Sequence, residues 1–204
     1  ASRAVFAVGV TNAPGEVTLY ALAAASNGDL DLGNNMDSST TPVVVPSGLE
    51  FIVDSTGDGP DAVPGNTVCA TSTGVCTLRA ALQEANALAG HNTVTVGVSP
   101  ITLGSAIAIT DDVTVRSGLS GDVTLSGGGT TRMFTVDDPS YPDVVFEDLR
   151  LTGGSSSAAG AVLLASAGDV SFLGVDIVDS TSTGGGAVTV GTWAGDLFFD
   201  QCAL

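Results

Sequence analysis

In the second half of the chain, apolar residues come in pairs two positions apart, set off by polar ones, and the pairs recur. Three stretches, "DVVFEDLRLTGG" from Asp143, "DVSFLGVDIVDS" from Asp169 and "DLFFDQCAL" from Asp196, align at spacings of 26 (143 to 169) and 27 (169 to 196). One position after the Asp come Val144, Val170 and Leu197; three after it come Phe146, Phe172 and Phe199. Six after it come Leu149, Val175 and Cys202, and eight after it Leu151, Ile177 and Leu204. Such offsets describe two short strands of period two with a bend between them. The position between the last two sets holds Arg150, Asp176 and Ala203, so that face is wet. A third strand fits "GAVLLASAG" from Gly160 and "GAVTVGTWAG" from Gly186, placing Val162 with Val188 and Leu164 with Val190.

A fixed period in the range of roughly 20–50 residues means a stacked array. Three strands per period of about 26 predict an all-β fold, a right-handed parallel β-helix. Its like residues pile up at about 4.8 Å in a narrow core, and its hand follows the general preference of parallel connections. The predicted ladders are Phe146, Phe172 and Phe199; Leu149, Val175 and Cys202; and Leu151, Ile177 and Leu204. Cys202 is then a small buried hydrophobe. Arg150 lies over Asp176 on the outside, an exposed pair worth at most about 1 kcal/mol. Leu204 points inward with nothing after it, so the expectation is a longer native chain or a second chain covering that end.

Upstream, "TVTV" (93–96), "ITL" (101–103), "IAI" (107–109), "VTV" (113–115), "VTL" (123–125) and "FTV" (134–136) read as further short strands between turns, with Phe134 and Val136 inward. Arg116 and Arg132 sit at strand edges, where ion pairs with the many Asp are expected. "CTLRAALQEANAL" (76–88) is the one amphipathic helix: Leu78, Leu82 and Ala85 share a face beside Ala81, Thr77 is the N-cap, and Asn86 or Gly90 ends it. A stacked array needs its first layer covered, and this helix suits that cap. Residues 1–48 read as a small β-element: strands "RAVFAVGV" and "GEVTLYALA" around an "NAPG" turn, a polar loop "SNGDLDLGNNMDSST", and an extended "PVVVP". The organisation is therefore a 1–48 extension able to lend a strand, a 49–92 cap, and 93–204 coils.

Charge narrows the partners. The net charge is −17 and all five basic residues are Arg; such a surface repels nucleic acid and anionic lipid. No apolar run approaches the roughly 18–20 residues of a membrane span. Cys69 and Cys76 flank a short flexible loop, which either closes as a disulfide in an oxidising compartment or holds two free thiols. The single histidine, His91, has no companion ligands, which argues against zinc. Asp54, Asp58 and Asp61 lie in a Gly-rich loop, either a Ca²⁺ site or a solvated acidic turn; no other cofactor is implied. Many β-helices act on polysaccharides, yet this chain has no Lys, and Asp148, Asp176, Asp179 and Asp200 form no evident acid pair.

Residues 76–86, with the preceding "FIVDSTGDGPDAVPGNTVCATSTGVC", resemble the CSLREA domain, matching at Cys76, Leu78, Arg79, Ala81, Ala85 and Asn86 and departing at Thr77 and Ala80. The resemblance covers roughly residues 49–154. It implies an exported or cell-surface β-helical chain of the pectate-lyase-like, adhesin-like kind, with no catalytic residue carried over. The expected role is structural or adhesive: a rigid rod, or a filament subunit joined to its neighbour by strand addition, with further copies, other surface proteins or glycans as partners. A carbohydrate-active lyase or hydrolase is the alternative.

Overall fold

The computed structural model describes residues 3–9, 16–24, 36–42, 47–191 and 194–204, with side chains from residue 48 onward. It contains β1 (Arg3–Gly9), β2 (Glu16–Ala24), β3 (Met36–Pro42), β4 (Ser47–Val53), α1 (Leu78–Ala85), β5 (His91–Val96), β6 (Ile101–Thr102), β7 (Ile107–Ile109), β8 (Val113–Ser117), β9 (Val123–Ser126), β10 (Phe134–Val136), β11 (Asp143–Glu147), β12 (Leu149–Thr152), β13 (Ser155–Ser156), β14 (Leu163–Ala165), β15 (Gly168–Leu173), β16 (Asp176–Val178), β17 (Thr181–Ser182), β18 (Val188–Val190) and β19 (Ala194–Asp200). The fold is all-β with α1 the one helix among the described residues, and it divides into Ala1–Val45 and Pro46–Leu204.

In the first unit β2 is central and antiparallel to both neighbours, from Arg3↔Ala24 to Gly9↔Thr18 and from Glu16↔Pro42 to Leu22↔Met36. The two predicted strands are present; the "NAPG" turn and residues 43–46 of "PVVVP" lie outside the described residues. The third strand corrects the loop expected at 36–40. "MDSSTTP" has no apolar alternation, but an edge strand needs only backbone pairing, and Thr favours the extended chain.

In the second unit every strand pair is parallel. Successive strands enter different sheets, and the chain returns to each sheet one repeat later. One sheet has the order β19-β15-β11-β8-β5-β4, a second β18-β14-β10-β7, a third β16-β12-β9-β6, and β13 pairs with β17. The leading Asp residues pair directly, Asp143↔Asp169, as do Val144↔Val170 and Phe146↔Phe172. Buried and less buried residues alternate along the strands, as in β5 and β11, and the buried set fills the space between the sheets. The predicted column of Phe146, Phe172 and Phe199 is present, ring centroids 5.2 and 5.0 Å apart and stacked at 12° and 8°. Phe134, from β10 in the neighbouring sheet, packs against it with its ring centroid 5.1 Å from that of Phe146 at 46°. Leu149, Leu151, Val175 and Ile177 are buried as expected. The bend between the first two strands is made each time by a left-handed residue: Asp148 (φ 52°), Gly174 (63°) and Gln201 (53°). At Gly174 a Cβ would stand 2.7 Å from Asp148 Oδ1, so a side chain there would have to displace that carboxylate.

Four expectations need correction. In the third strand the pairs are Leu163↔Val188 and Ala165↔Val190, not Val162 with Val188, so this sheet runs at a spacing of 25 (163 to 188). "VLLA" is apolar at four consecutive positions, so its pattern satisfies either face, and a one-residue slip is invisible in it. Longer chain between Val190 and Leu197 restores the step, since Val170 pairs with Leu197, 27 residues on. Leu204 is 82% exposed, because no strand lies over its layer, and Cys202 is partly buried against the core with Sγ donating to Phe172 O at 3.3 Å. Among the described residues Arg132 meets no carboxylate: its guanidinium donates to the carbonyls of Gly160 and Ala159, both at 2.7 Å, and to Ser156 Oγ at 3.2 Å. Arg116 does form an ion pair, but with Glu50 at 2.8 Å and not with an Asp. The Arg150–Asp176 pair is present at 3.8 Å, half-exposed on both sides.

Helix α1 is shorter than 76–88. Thr77 caps it, its hydroxyl accepting from Ala80 N, and Asn86 is the C-cap. Leu78, Ala81, Leu82 and Ala85 are buried, and the helix packs on β4, β5 and β7, over the first strands of the parallel unit.

Candidate functional site at the helix-capped end

The polar side chains of α1 and its flanks are aimed at backbone. Arg79 forms a two-pronged contact with Asp58, Nε to Oδ1 at 3.0 Å and Nη2 to Oδ2 at 2.9 Å, and the pair is mostly shielded from solvent. The same guanidinium donates to Ser105 O at 2.7 Å and Ala106 O at 3.2 Å, while Asp58 Oδ2 accepts from Gly104 N at 2.8 Å. Asn86 donates to Ala108 O at 2.8 Å and accepts from Thr110 N at 2.9 Å. Thr77 Oγ1 donates to Gly59 O at 2.6 Å. The motif residues Cys76, Arg79 and Asn86 thus act as fasteners, and Leu78, Ala81 and Ala85 are the packed face.

Two residues missed in the sequence are fully buried. Glu84 accepts from the amides of Gly65, at 2.6 Å, and Thr67, tying the loop before the helix to it. Thr67 has φ 69°, a left-handed backbone held by that contact. Asn92 donates to the carbonyls of Ala85, Leu88 and Gly90 at 3.1, 2.8 and 3.0 Å and accepts from Leu49 N at 2.9 Å. It finishes the helix and joins it to β4. Glu84 lies on the one helix, where no repeat offers a comparison, whereas Asn92 occupies a ladder position that is Val113, Val144 and Val170 in the following layers, a signal that needs the register of β5 on β8 to be seen.

Cys69 and Cys76 form a disulfide, Cα atoms 5.2 Å apart, at the start of α1. Asp54 Oδ1 accepts from Cys76 N at 2.9 Å, and Cys76 O accepts from Asp54 N and Ser55 N. On the chain-entropy model so small a loop is worth about 2–3 kcal/mol. Cys69→Ser should therefore lower the unfolding free energy by about that amount, read by urea titration, and adding reductant to the variant should change nothing further.

The three carboxylates considered for Ca²⁺ are directed to different partners: Asp54 to Cys76 N, Asp58 to Arg79 and Gly104 N, and Asp61 to Val63 N at 2.7 Å and Ala70 N at 3.0 Å. Among the described residues no three metal-ligating side chains come together. Asp61 borders an open cleft of about 400 Å³ lined mainly by Ser, Thr and Gly residues, including Ser55, Thr71, Ser72 and Thr73. A second cleft of about 300 Å³ is lined by Leu119, Ser120, Gly121, Asp122 and Asp148. His91 is engaged with Thr114 Oγ1 at 2.8 Å.

Beside the cap, across β4, β5 and β8, Glu50 Oε1 accepts from the Thr95 hydroxyl at 2.6 Å and from Arg116 at 2.8 Å. These bonds, Thr95 first and Arg116 next, hold its carboxyl below the ordinary value, against a weaker opposing effect of desolvation. A carboxyl whose folded pKa is depressed contributes stability above its unfolded pKa and loses it as pH falls through the folded one. Glu50→Gln should thus match the parent at acid pH and fall behind only above about pH 4–5. Thermal unfolding of both proteins across that range checks it.

No family model, curated protein or solved structure matches this chain.

Proposed function

We propose that residues 47–204 form a right-handed parallel β-helix and that the protein is a structural or adhesive element displayed outside the cell or on its surface. The single observation that carries this reading is the all-parallel register of successive layers, settling to spacings of 25–27 residues from β11 onward, with one phenylalanine column through them. Each interior strand is hydrogen-bonded to the layers on both sides, which makes a stiff rod. The disulfide favours an oxidising compartment, and the net charge of −17 suits a hydrated surface that avoids nucleic acid. Partners on this reading are further copies, other surface proteins or glycans. The test is antibody labelling of intact cells and of medium from cells that make the protein natively. Labelling at the surface or in the medium supports the reading, and protein confined to the cytoplasm removes it.

A second reading, a carbohydrate-active enzyme, is favoured by Asp122 and Asp148 lining one cleft, since glycoside hydrolysis uses two carboxylates about 5–10 Å apart. It requires turnover of some neutral or acidic glycan by the parent protein and loss of that turnover in Asp148→Asn. A glycan panel with no turnover ends it.

A further inference from the structure

We propose that the side chains of Asn86 and Arg79 stand in for a missing β-strand and close the helix-covered end against addition of another chain. The argument is geometric and does not depend on where the protein resides. Strand β7 is the last strand of its sheet; its inner edge faces β10, with Ile107 N donating to Met133 O at 2.9 Å. In a parallel ladder the backbone groups alternate sides, so Ala106, Ala108 and Thr110 turn theirs to the free edge. A neighbouring parallel strand would there donate one N–H to Ala108 O and accept from Thr110 N with the C=O of the same residue. The Asn86 carboxamide makes both bonds, 2.8 Å to Ala108 O and 2.9 Å from Thr110 N, so it reproduces the N–H and C=O that one residue of an absent partner strand would offer. Arg79 takes the next edge carbonyl, Ala106 O, at 3.2 Å.

An open edge is a template for pairing with other chains. Here three of the groups that would recruit a strand, Ala106 O, Ala108 O and Thr110 N, are spent within the molecule, so strand addition at the β7 edge requires Asn86 and Arg79 to be displaced first. A helix that merely covered apolar side chains would not need these bonds. The sealing function therefore resides in two polar residues, separable from the buried face of α1.

The test uses the full chain and a fluorescent peptide of residues 132–137, RMFTVD, which holds the segment that pairs with the other edge of β7. Amide exchange in the parent should protect Thr110 to the level of Ile107, and Asn86→Ala should speed Thr110 exchange about tenfold, the equivalent of one hydrogen bond. Fast Thr110 exchange in the parent overturns the proposal whether or not any variant folds. The parent should leave peptide anisotropy unchanged. The double variant Arg79→Met, Asn86→Ala should bind the peptide or associate with itself on sizing columns. A double variant that retains protected β11 amides yet does neither also overturns it.

Discussion

Replacing Phe172 by Ala lowers the unfolding free energy by about 3–5 kcal/mol, the range for truncating a buried aromatic. The ring is fully buried between two others, Phe146 at 5.2 Å and Phe199 at 5.0 Å. Its loss opens a void that rigid, hydrogen-bonded strands on all sides cannot collapse into, and it removes two stacking contacts worth about 0.5–1.5 kcal/mol each beyond burial. Phe199→Ala serves as the control. That ring is only partly buried and has one stacked neighbour, so the loss should be clearly smaller. Urea titration of both variants decides: equal losses would mean that the column is not a continuous core.

Asn92→Ala costs about 2–4 kcal/mol, for a different reason. Three backbone groups, Leu49 N, Leu88 O and Gly90 O, lose their partner at once, and Ala85 O keeps only the bond from Leu88 N at 3.2 Å. A polar group left unpaired away from water costs about 1–3 kcal/mol, and the fully buried Asn92 side chain leaves a void behind it. Asn92→Asp separates the two halves of the network. Its oxygen still accepts from Leu49 N, but at neutral pH a carboxylate faces three carbonyls that need a donor. Protonation restores a donor, so this variant should regain stability relative to the parent as pH falls. A pH series of melting temperatures reads the sign, and a variant gap that widens toward acid would refute the donor role assigned to Asn92.

The parallel repeat was legible because its signal is redundant. Phe146, Phe172 and Phe199 agree with Val144, Val170 and Leu197 on one register, and a slip would bury Glu147 or Ser171. Where the pattern is degenerate it misled. "VLLA" offers two faces, and the third sheet settled one residue away from the sequence alignment. "MDSSTTP" shows no face at all, and only backbone pairing makes it a strand. The acidic loop looked like one ligand set because its three Asp are close in sequence. In space each answers a different donor, and one of them, Asp58, holds the Arg79 guanidinium against an edge strand. The polar half of the cap could not be read from hydrophobic periodicity, since Glu84 and Asn92 recognise backbone atoms that carry no residue identity. Arg79 and Asn86 spend their side chains on backbone and on Asp58.

The in-register stacking of β11 on β15 and β15 on β19 has a mechanical corollary. Each repeat touches only the ones before and after it, so a chain pulled from its ends has no shared clamp to break at once. It should yield by peeling, one repeat at a time. In the last repeats each step would release about 26 residues, or roughly 85–95 Å of extended backbone, and earlier layers would give shorter or longer steps, since Val94 pairs with Val115 and Val113 with Val144. Such a chain behaves as a series of fuses, able to absorb work over a long extension while the repeats not yet reached stay folded.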